Sequence, residues 1–225
     1  LDMGGYADLR FILREGGSMG DLYSRTDLRR DANGAIYMDE SNNVYTQKID
    51  NPDSYIKLGS VLPKGNLAWR NNFMWKNFHV GFMISARLGG VVFSRTQAIL
   101  DKFGVSEASA DARDNGFVLI NGNDRVNPEN WYTTVGSTAV PQYYTYSATN
   151  VRLQEASIGY TIPRKWLANI CDIKVSLIGR NLWMIYNKAP FDPEAVASTD
   201  NFYQGIDNFM MPSLRNVGFS LNFKF

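Results

Sequence analysis

The sequence predicts an all-β fold whose antiparallel strands are long enough to cross a lipid bilayer, as in a transmembrane β-barrel with long extracellular loops. Three observations carry this prediction. Apolar and polar residues alternate in several segments, the two clearest strands are about 10 or 11 residues long, and short connections alternate with long ones. Strands of soluble sheets usually have about 5–6 residues, whereas a tilted strand needs about 9–11 to cross a membrane.

The composition excludes several classes of function. With 23 basic and 22 acidic residues the net charge is +1, which offers no electrostatic basis for binding nucleic acid or an anionic membrane surface. One cysteine, Cys171, and one histidine, His79, exclude an internal disulfide and metal sites built from Cys or His clusters. They also leave little for a Ser/His/Asp triad. We therefore expect a protein that is not an enzyme and that holds no cofactor or metal.

The N-terminal part predicts short strands and turns. Apolar residues occupy alternate positions in a first, weak strand: Ala7, Leu9, Phe11 and Leu13. From Ser18 to Pro63 the chain is polar and punctuated by Gly, Asn and Asp, as in turns and short strands. The chain begins at Leu1 rather than at a methionine, and its start does not resemble a signal peptide, so we expect a piece of a longer protein.

The segment from Asn66 to Leu88 predicts a β-hairpin. Apolar residues first follow odd positions (Leu67, Trp69, Phe73, Trp75) and, after Lys76–Asn77, even positions (Phe78, Val80, Phe82, Ile84, Ala86, Leu88). Because residues that flank a two-residue turn share a face, the change of parity keeps one apolar surface. The opposite face includes His79 and is too polar for the interior of a tight β-sandwich.

The rest of the chain predicts one short helix, around Thr96 to Phe103, and three more strands. Two of these strands, Val151 to Ile162 and Ile173 to about Tyr186, are joined by a short connection, and the apolar parity of the first changes near Gln154–Glu155, which predicts a β-bulge. In the final strand, Leu214 to Phe225, the odd positions from 217 onward are apolar and the even ones polar.

The connections are asymmetric. Turns at 76–77 and about 163–172 are short, whereas the excursions at 15–65, 89–149 and 187–213 are long, as in transmembrane barrels. Aromatic residues near strand ends fit interfacial girdles: Trp69, Trp75, Tyr160, Trp166, Trp183 and Tyr186. About seven strands, two of them weak, would leave open edges, so we expect further strands from outside this chain.

Several motifs together resemble a known family. These are KLGSVLPKGNLAWRNNFMWKNF, ARLGGVVF, VRLQEASIGYTIP, VSLIGRNLWMIYNKAPFDPEA and MPSLRNVGFSLNFKF, in this order. Together they resemble the C-terminal portion of SusC/RagA-type TonB-dependent outer-membrane transporters of Bacteroidetes. The resemblance covers roughly residues 15 to 225, and we assign all of 1–225 to the C-terminal part of the receptor barrel, without plug or TonB box.

The resemblance implies a 22-stranded barrel in the outer membrane that imports a glycan or a peptide. It also implies several partners: a SusD-like surface lipoprotein, TonB through an N-terminal part absent from this chain, the lipid of the outer membrane and the barrel assembly machinery. Phe223 and the terminal Phe225 match the signal that this machinery reads. Family members often have Asn where Ser94 follows Phe93, which puts in doubt any contact made at that position.

Aromatic residues in the predicted loops are candidates for contact with substrate or partner, because aromatic rings stack on sugars and anchor protein interfaces. They are Trp131, Tyr132, Tyr143, Tyr144, Tyr146, Phe202 and Tyr203. Packing within the loops, contact with the lipoprotein and contact with substrate all remain open for this set. Arg70, Arg87, Arg152 and Arg180 are expected to face the lumen, either paired with carboxylates or steering an anionic substrate.

Two alternatives remain. Asp192 and Glu194, on either side of Pro193, could be the carboxylates of a glycosidase or ligands of Ca²⁺, but they predict above all a loop ordered by carboxylate hydrogen bonds. The whole chain could instead be a secreted soluble β-sandwich that binds carbohydrate. That alternative requires the apolar faces to pack against one another.

Overall fold

The computed structural model describes residues 1–136, 139–167, 170–198, 200 and 203–224. The chain forms two compact units. We call Leu1–Leu62, Gly90–Ser147 and Ala195–Met210 the loop unit, and Pro63–Gly89, Ala148–Glu194 and Met211–Phe225 the sheet unit. Among the described residues, no helix is both long and apolar enough to span a membrane.

Short strands and three helices alternate with a few long strands along the chain. In chain order these elements are β1 (Asp2–Tyr6), β2 (Leu9–Ile12), β3 (Asp21–Ser24), β4 (Thr26–Leu28), β5 (Thr46–Lys48), β6 (Ile56–Ser60), β7 (Gly65–Trp75), β8 (Phe78–Leu88), β9 (Val91–Ser94), α1 (Arg95–Lys102), α2 (Glu107–Asn115), β10 (Val118–Ile120), β11 (Asp124–Val126), α3 (Pro128–Val135), β12 (Thr145–Ser147), β13 (Asn150–Ile162), β14 (Asp172–Asn187), β15 (Ile206–Asp207) and β16 (Asn216–Lys224). Strands predominate, and the predicted all-β antiparallel class is confirmed.

The sheet unit is one antiparallel sheet of five strands in the order β16-β14-β13-β8-β7. The predicted hairpin is confirmed, with Trp75 opposite Phe78 across the turn. Their rings stack with centroids 6.4 Å apart, and Phe78 lies 4.8 Å from the ring of Tyr160 on the next strand. The predicted strands at 151–162, 173–186 and 214–225 correspond to β13, β14 and β16.

The register places apolar residues of all five strands in rows on one face. One such row runs Phe73, Val80, Ile158, Leu177 and Phe219, each residue opposite the next. These side chains are 42–78% exposed, so no described part of the chain covers them. The opposite face carries polar residues at matching positions, such as Ser176 opposite Ser220. The two faces of the sheet therefore differ sharply in polarity over its whole width.

The predicted β-bulge is confirmed at Gln154. Pairing of β13 with β8 skips this residue, because Leu153 lies opposite Ile84 and Glu155 opposite Met83. The pairing of β13 with β14 is irregular at the same point. The extra residue lets the apolar side chains on both sides of it stay on one face.

The loop unit has its own apolar core. Its strands form small sheets, of which the largest has the order β1-β2-β3-β6. Leu9, Phe11 and Leu22 are fully buried in the core, together with Phe93 of β9. The first alternating pattern of the sequence thus forms a strand that packs in the loop unit rather than joining the five long strands. Its register with β1 and β3 buries three of its four residues.

Helix α1 confirms the predicted short helix, whereas α2 and α3 were missed in a segment interpreted as loop. Both missed helices begin with sequence signals. Ser106 caps α2 through a bond from Ser109 N, and Gly116 ends it with a left-handed backbone (φ +80°). Asn127 caps α3 in the same way, with Pro128 at the first position. Neither helix has a strong apolar stripe. Because capping residues predict a helix only together with apolar periodicity, the sequence did not predict these two.

Ser94 has a defined structural role, although it departs from the pattern of the family that the sequence resembles. Its hydroxyl accepts a hydrogen bond from Gln97 N at 3.1 Å, which caps α1, and donates one to Asp207 Oδ2 at 2.7 Å. Ser94 and Asp207 are both buried, and they lie opposite each other where β9 and β15 pair in parallel. The serine thus joins two segments that are 113 residues apart.

We expect Ser94→Ala to open the start of α1, because the helix loses its cap and the buried Asp207 carboxylate loses a donor. The opening free energy should fall by about 2 kcal/mol. Hydrogen exchange of the full-length protein, followed by mass spectrometry over residues 95–102, measures this. Ser41→Ala is the control, since the Ser41 side chain bonds no described residue. Unchanged exchange in Ser94→Ala would contradict the assigned role.

Candidate functional site

Charged residues from three strands meet on the polar face of the sheet. Arg70 on β7 and Arg180 on β14 approach the Glu155 carboxylate on β13, at 3.1 and 3.7 Å. His79 on β8 shares a 2.9 Å hydrogen bond with Thr161. Two of the four arginines expected on this face therefore meet a carboxylate here, and the histidine is hydrogen-bonded as its polar position predicts.

Arg152 holds a buried cluster at the other end of β13. Its guanidinium Nη2 lies 2.9 Å from Asp192 Oδ1 and 3.2 Å from Glu194 Oε2. The arginine and Asp192 side chains are only 4% and 8% exposed, whereas Glu194 is 40% exposed. Asn150 donates to Glu194 at 3.2 Å, and Ser213 N donates to Asp192 Oδ2 at 3.1 Å. We call these five residues the arginine clasp.

The clasp orders three separate segments: the start of β13, the loop after β14 and the segment before β16. Burial would raise the pKa of Asp192, but hydrogen bonds from Ser213 and Glu194 N, with the charge of Arg152, outweigh it and lower that pKa. Asp192 is therefore an ionised partner of an arginine rather than a proton donor. Both carboxylates converge on a guanidinium, which supplies the positive charge that a Ca²⁺ ion would otherwise bring.

The aromatic residues of the loops separate into buried and exposed ones. Trp131 and Tyr144 are buried in the core of the loop unit, and the hydroxyl of Tyr144 donates to Asp101 at 3.0 Å. Tyr143 is 39% exposed and meets Trp131 edge to face, with centroids 5.5 Å apart. Packing thus accounts for Trp131 and Tyr144.

The other aromatic candidates have more open surroundings. Tyr132 and Tyr146 pack against the core while remaining partly exposed, and Tyr203 is 47% exposed. Burial is the main cause that raises the pKa of Tyr132 and Tyr146, so both phenols stay neutral at physiological pH. Phe202 lies outside the described residues. Contact of this set with a substrate or partner stays a prediction.

Of the two residues predicted as the assembly signal, Phe223 lies at the short-turn end of the sheet. Phe223 is 55% exposed on the apolar face, opposite Ile173. Phe225 lies outside the described residues. Cys171 is buried next to the start of β14. In the described part of the chain, no three His, Cys, Asp or Glu side chains are grouped so that they could hold a metal ion.

Long antiparallel strands, one continuous apolar face and a charged opposite face define the class of this protein, an antiparallel β-sheet protein with the strand pattern that is typical of membrane-spanning barrels. No family model matches the chain. In an alignment of 243 positions that covers 95% of its length, it is 26% identical to the TonB-dependent receptor P3 of Formosa agariphila. The predicted resemblance to SusC/RagA-type TonB-dependent transporters is confirmed.

Solved structures share the fold. The chain matches the RagAB peptide importer in its closed-closed state with a TM-score of 0.55 and 16% identity over 97% of its length. For the open-open state, the TM-score is 0.60 and the identity 13% over the whole chain. The chain spans 23% of the curated receptor and 25% and 27% of the two solved chains. These proteins are named for reception and import rather than for an enzymatic reaction.

We expect Asp192→Asn to destabilise the clasp, because the buried Arg152 loses a charged partner. The free energy of unfolding should fall by about 2 kcal/mol at neutral pH. Glu194→Gln is the matched comparison and should cost less, since solvent screens the more exposed Glu194. Guanidinium unfolding of the full-length protein in detergent, followed by tryptophan fluorescence, measures both variants. Equal stability of Asp192→Asn and wild type would contradict the role of the clasp.

The same variant has an expected pH dependence. Folding lowers the pKa of Asp192, so its contribution is complete above the unfolded pKa, about 3.9, and is lost as the pH falls through the folded value. The stability difference between wild type and Asp192→Asn should therefore be constant near neutral pH and shrink in acid. Repeating the unfolding series at stepwise lower pH tests this. A stability difference that grows as the pH falls would contradict a lowered pKa of Asp192.

Proposed function

We propose that this chain is the C-terminal barrel segment of an outer-membrane transporter that is energised through TonB and imports an oligosaccharide or a peptide. The observation that carries the proposal is the apolar face that continues across all five strands of the sheet unit. A face of this kind is stable when it meets lipid, while the charged face meets a water-filled lumen. The similarity to a TonB-dependent receptor and to a peptide importer supports it.

Partners follow from the same proposal. A SusD-like surface lipoprotein contributes at the extracellular side, and TonB acts through an N-terminal part of the full protein. The exposed aromatic residues Tyr143 and Tyr203 are the better candidates for partner or substrate contact, because their rings are more accessible than those of Trp131 and Tyr144. Phe223 and Phe225 serve as the signal for barrel assembly, and the edge of β16 continues the sheet into a further strand.

No observation favours the alternative of a soluble carbohydrate-binding sandwich. In a sandwich, the apolar faces of two sheets pack together and exclude water. Here Phe73, Leu177 and Phe219 of the sheet unit are 59%, 54% and 78% exposed. A glycosidase built on Asp192 and Glu194 has equally little support, because both carboxylates already contact Arg152.

Cells that lack the full-length protein should lose uptake of one class of labelled oligosaccharide or peptide, and complementation should restore it. Uptake should also require the proton gradient, because TonB transmits that energy. The measurement is accumulation of label in intact cells, with fractionation to locate the protein. Recovery of the native full-length protein in the soluble fraction would overturn the proposal.

Two neighbouring residues distinguish the lipid face from the lumen face. Phe73→Arg places a charge on the apolar face and should lower the stability of the barrel, by up to about 2–4 kcal/mol at the depth of the bilayer centre and by less near its surface. Met74→Arg changes the adjacent residue on the polar face and should be tolerated. Heat-modifiable electrophoretic migration of the full-length protein from outer membranes reports the folded fraction. Equal folded fractions for the two variants would argue against a lipid-facing Phe73.

A further inference from the structure

The loop unit contains a cavity of about 330 Å³ beside its three helices. Its lining comes from the end of α1, from α2 and from the first turns of α3. All these residues lie between positions 101 and 133, within one unit. The volume is at the lower end of the range for small-molecule sites, about 300–1,000 Å³.

Two cations line the cavity, and neither is paired with the carboxylates that also line it, Asp101 and Glu129. Lys102 ends α1, and Arg113 lies in the last turn of α2. Among the described residues neither side chain forms an ion pair. A positive charge near a helix C-terminus is favourable, so both cations are held here without needing a carboxylate. Their charge remains available to a ligand.

The guanidinium of Arg113 is preorganised. Its Nη1 donates to Gly104 O at 2.7 Å, while its Nε and Nη2 bond no described residue. A side chain at Gly104 would place its Cβ 2.6 Å from Nη1, and the left-handed backbone there (φ +66°) also favours glycine. The glycine thus permits a contact that orients the arginine and leaves its outer edge open.

The other charged groups favour a ligand with a single negative charge. The Asp101 carboxylate accepts hydrogen bonds from Tyr144 at 3.0 Å and from Gln97 at 3.2 Å, and Glu129 lines the cavity with an exposed side chain. Their two negative charges oppose a doubly charged phosphate more strongly than a singly charged carboxylate. The planar carboxylate also matches one edge of a guanidinium. Tyr132, whose hydroxyl donates to Ala108 O at 3.0 Å, forms a neutral wall.

We propose that this cavity is a recognition subsite for a carboxylate-bearing solute, with the carboxylate bound by the open edge of Arg113 and by Lys102. The proposal rests on the import function proposed above and narrows its substrate class. A carboxylate is carried both by the C-terminus of a peptide and by a uronic acid of a glycan. Both sources present the same group, and binding experiments distinguish them.

The test uses the purified full-length protein in detergent and isothermal titration calorimetry. One probe pair is tetra-alanine and its C-terminal amide, and the other is trigalacturonic acid and its methyl ester. In one pair, the carboxylate form should bind about tenfold more tightly than its neutral counterpart. Lys102→Gln and Arg113→Lys should each reduce this preference. Arg125→Gln is the control, because Arg125 is exposed over the ring of Phe117, outside the cavity.

The outcomes separate the two proposals. Equal affinity for both members of each pair, or a preference unchanged in both variants, overturns the subsite. Lys102→Gln keeps the test valid if Arg113→Lys disturbs the bond to Gly104, because Lys102 makes no hydrogen bond to a described residue. If cells import the solute but the protein shows no preference for the carboxylate form, the proposed subsite is wrong and the proposed import function stands. If cells that carry the wild-type protein import none of the solutes, the proposed function itself is wrong.

Discussion

The five-stranded sheet depends on a register that puts the apolar side chains of every strand on the same face. Side chains alternate along a strand, so a slip of one residue would turn that strand's apolar set to the polar face. The turn at Lys76–Asn77 sets the register of β7 and β8, and the bulge at Gln154 corrects a change of parity in β13. Both features are local, yet every row across the sheet relies on them.

The arginine clasp is the second interaction that stabilises the sheet unit. The guanidinium of Arg152 forms ion pairs with Asp192 and Glu194 in the loop after β14. Asp192 also accepts a hydrogen bond from the backbone N–H of Ser213, before β16. A buried ion pair is stable only when hydrogen bonds satisfy its remaining atoms, and Asn150 and the backbone do so here. The long connection from β14 to β16 is therefore held at both of its ends. A carboxylate pair that suggested catalysis is thus structural.

The candidate site was only partly predictable. Residue type alone singled out the loop aromatics, because Trp and Tyr serve both packing and recognition. Burial distinguishes these two roles, and it depends on how α2 and α3 pack. The apolar stripes of these two helices are too weak for the sequence to predict them. The cavity at Lys102 and Arg113 had no motif at all. Its residues come from three helices and an intervening glycine, and only their packing brings the two cations to one place.

The sequence by itself determined the long strands, the hairpin, the bulge and the separation of an apolar from a polar face. These depend on alternation and on turn chemistry, which act between neighbours in the chain. Tertiary structure decided that Leu9 and Phe11 pack in the loop unit, that Arg152 is the partner of Asp192, and which aromatic rings remain accessible. Those outcomes depend on contacts between residues tens of positions apart, and no local pattern in the sequence specifies which distant partner a side chain will meet.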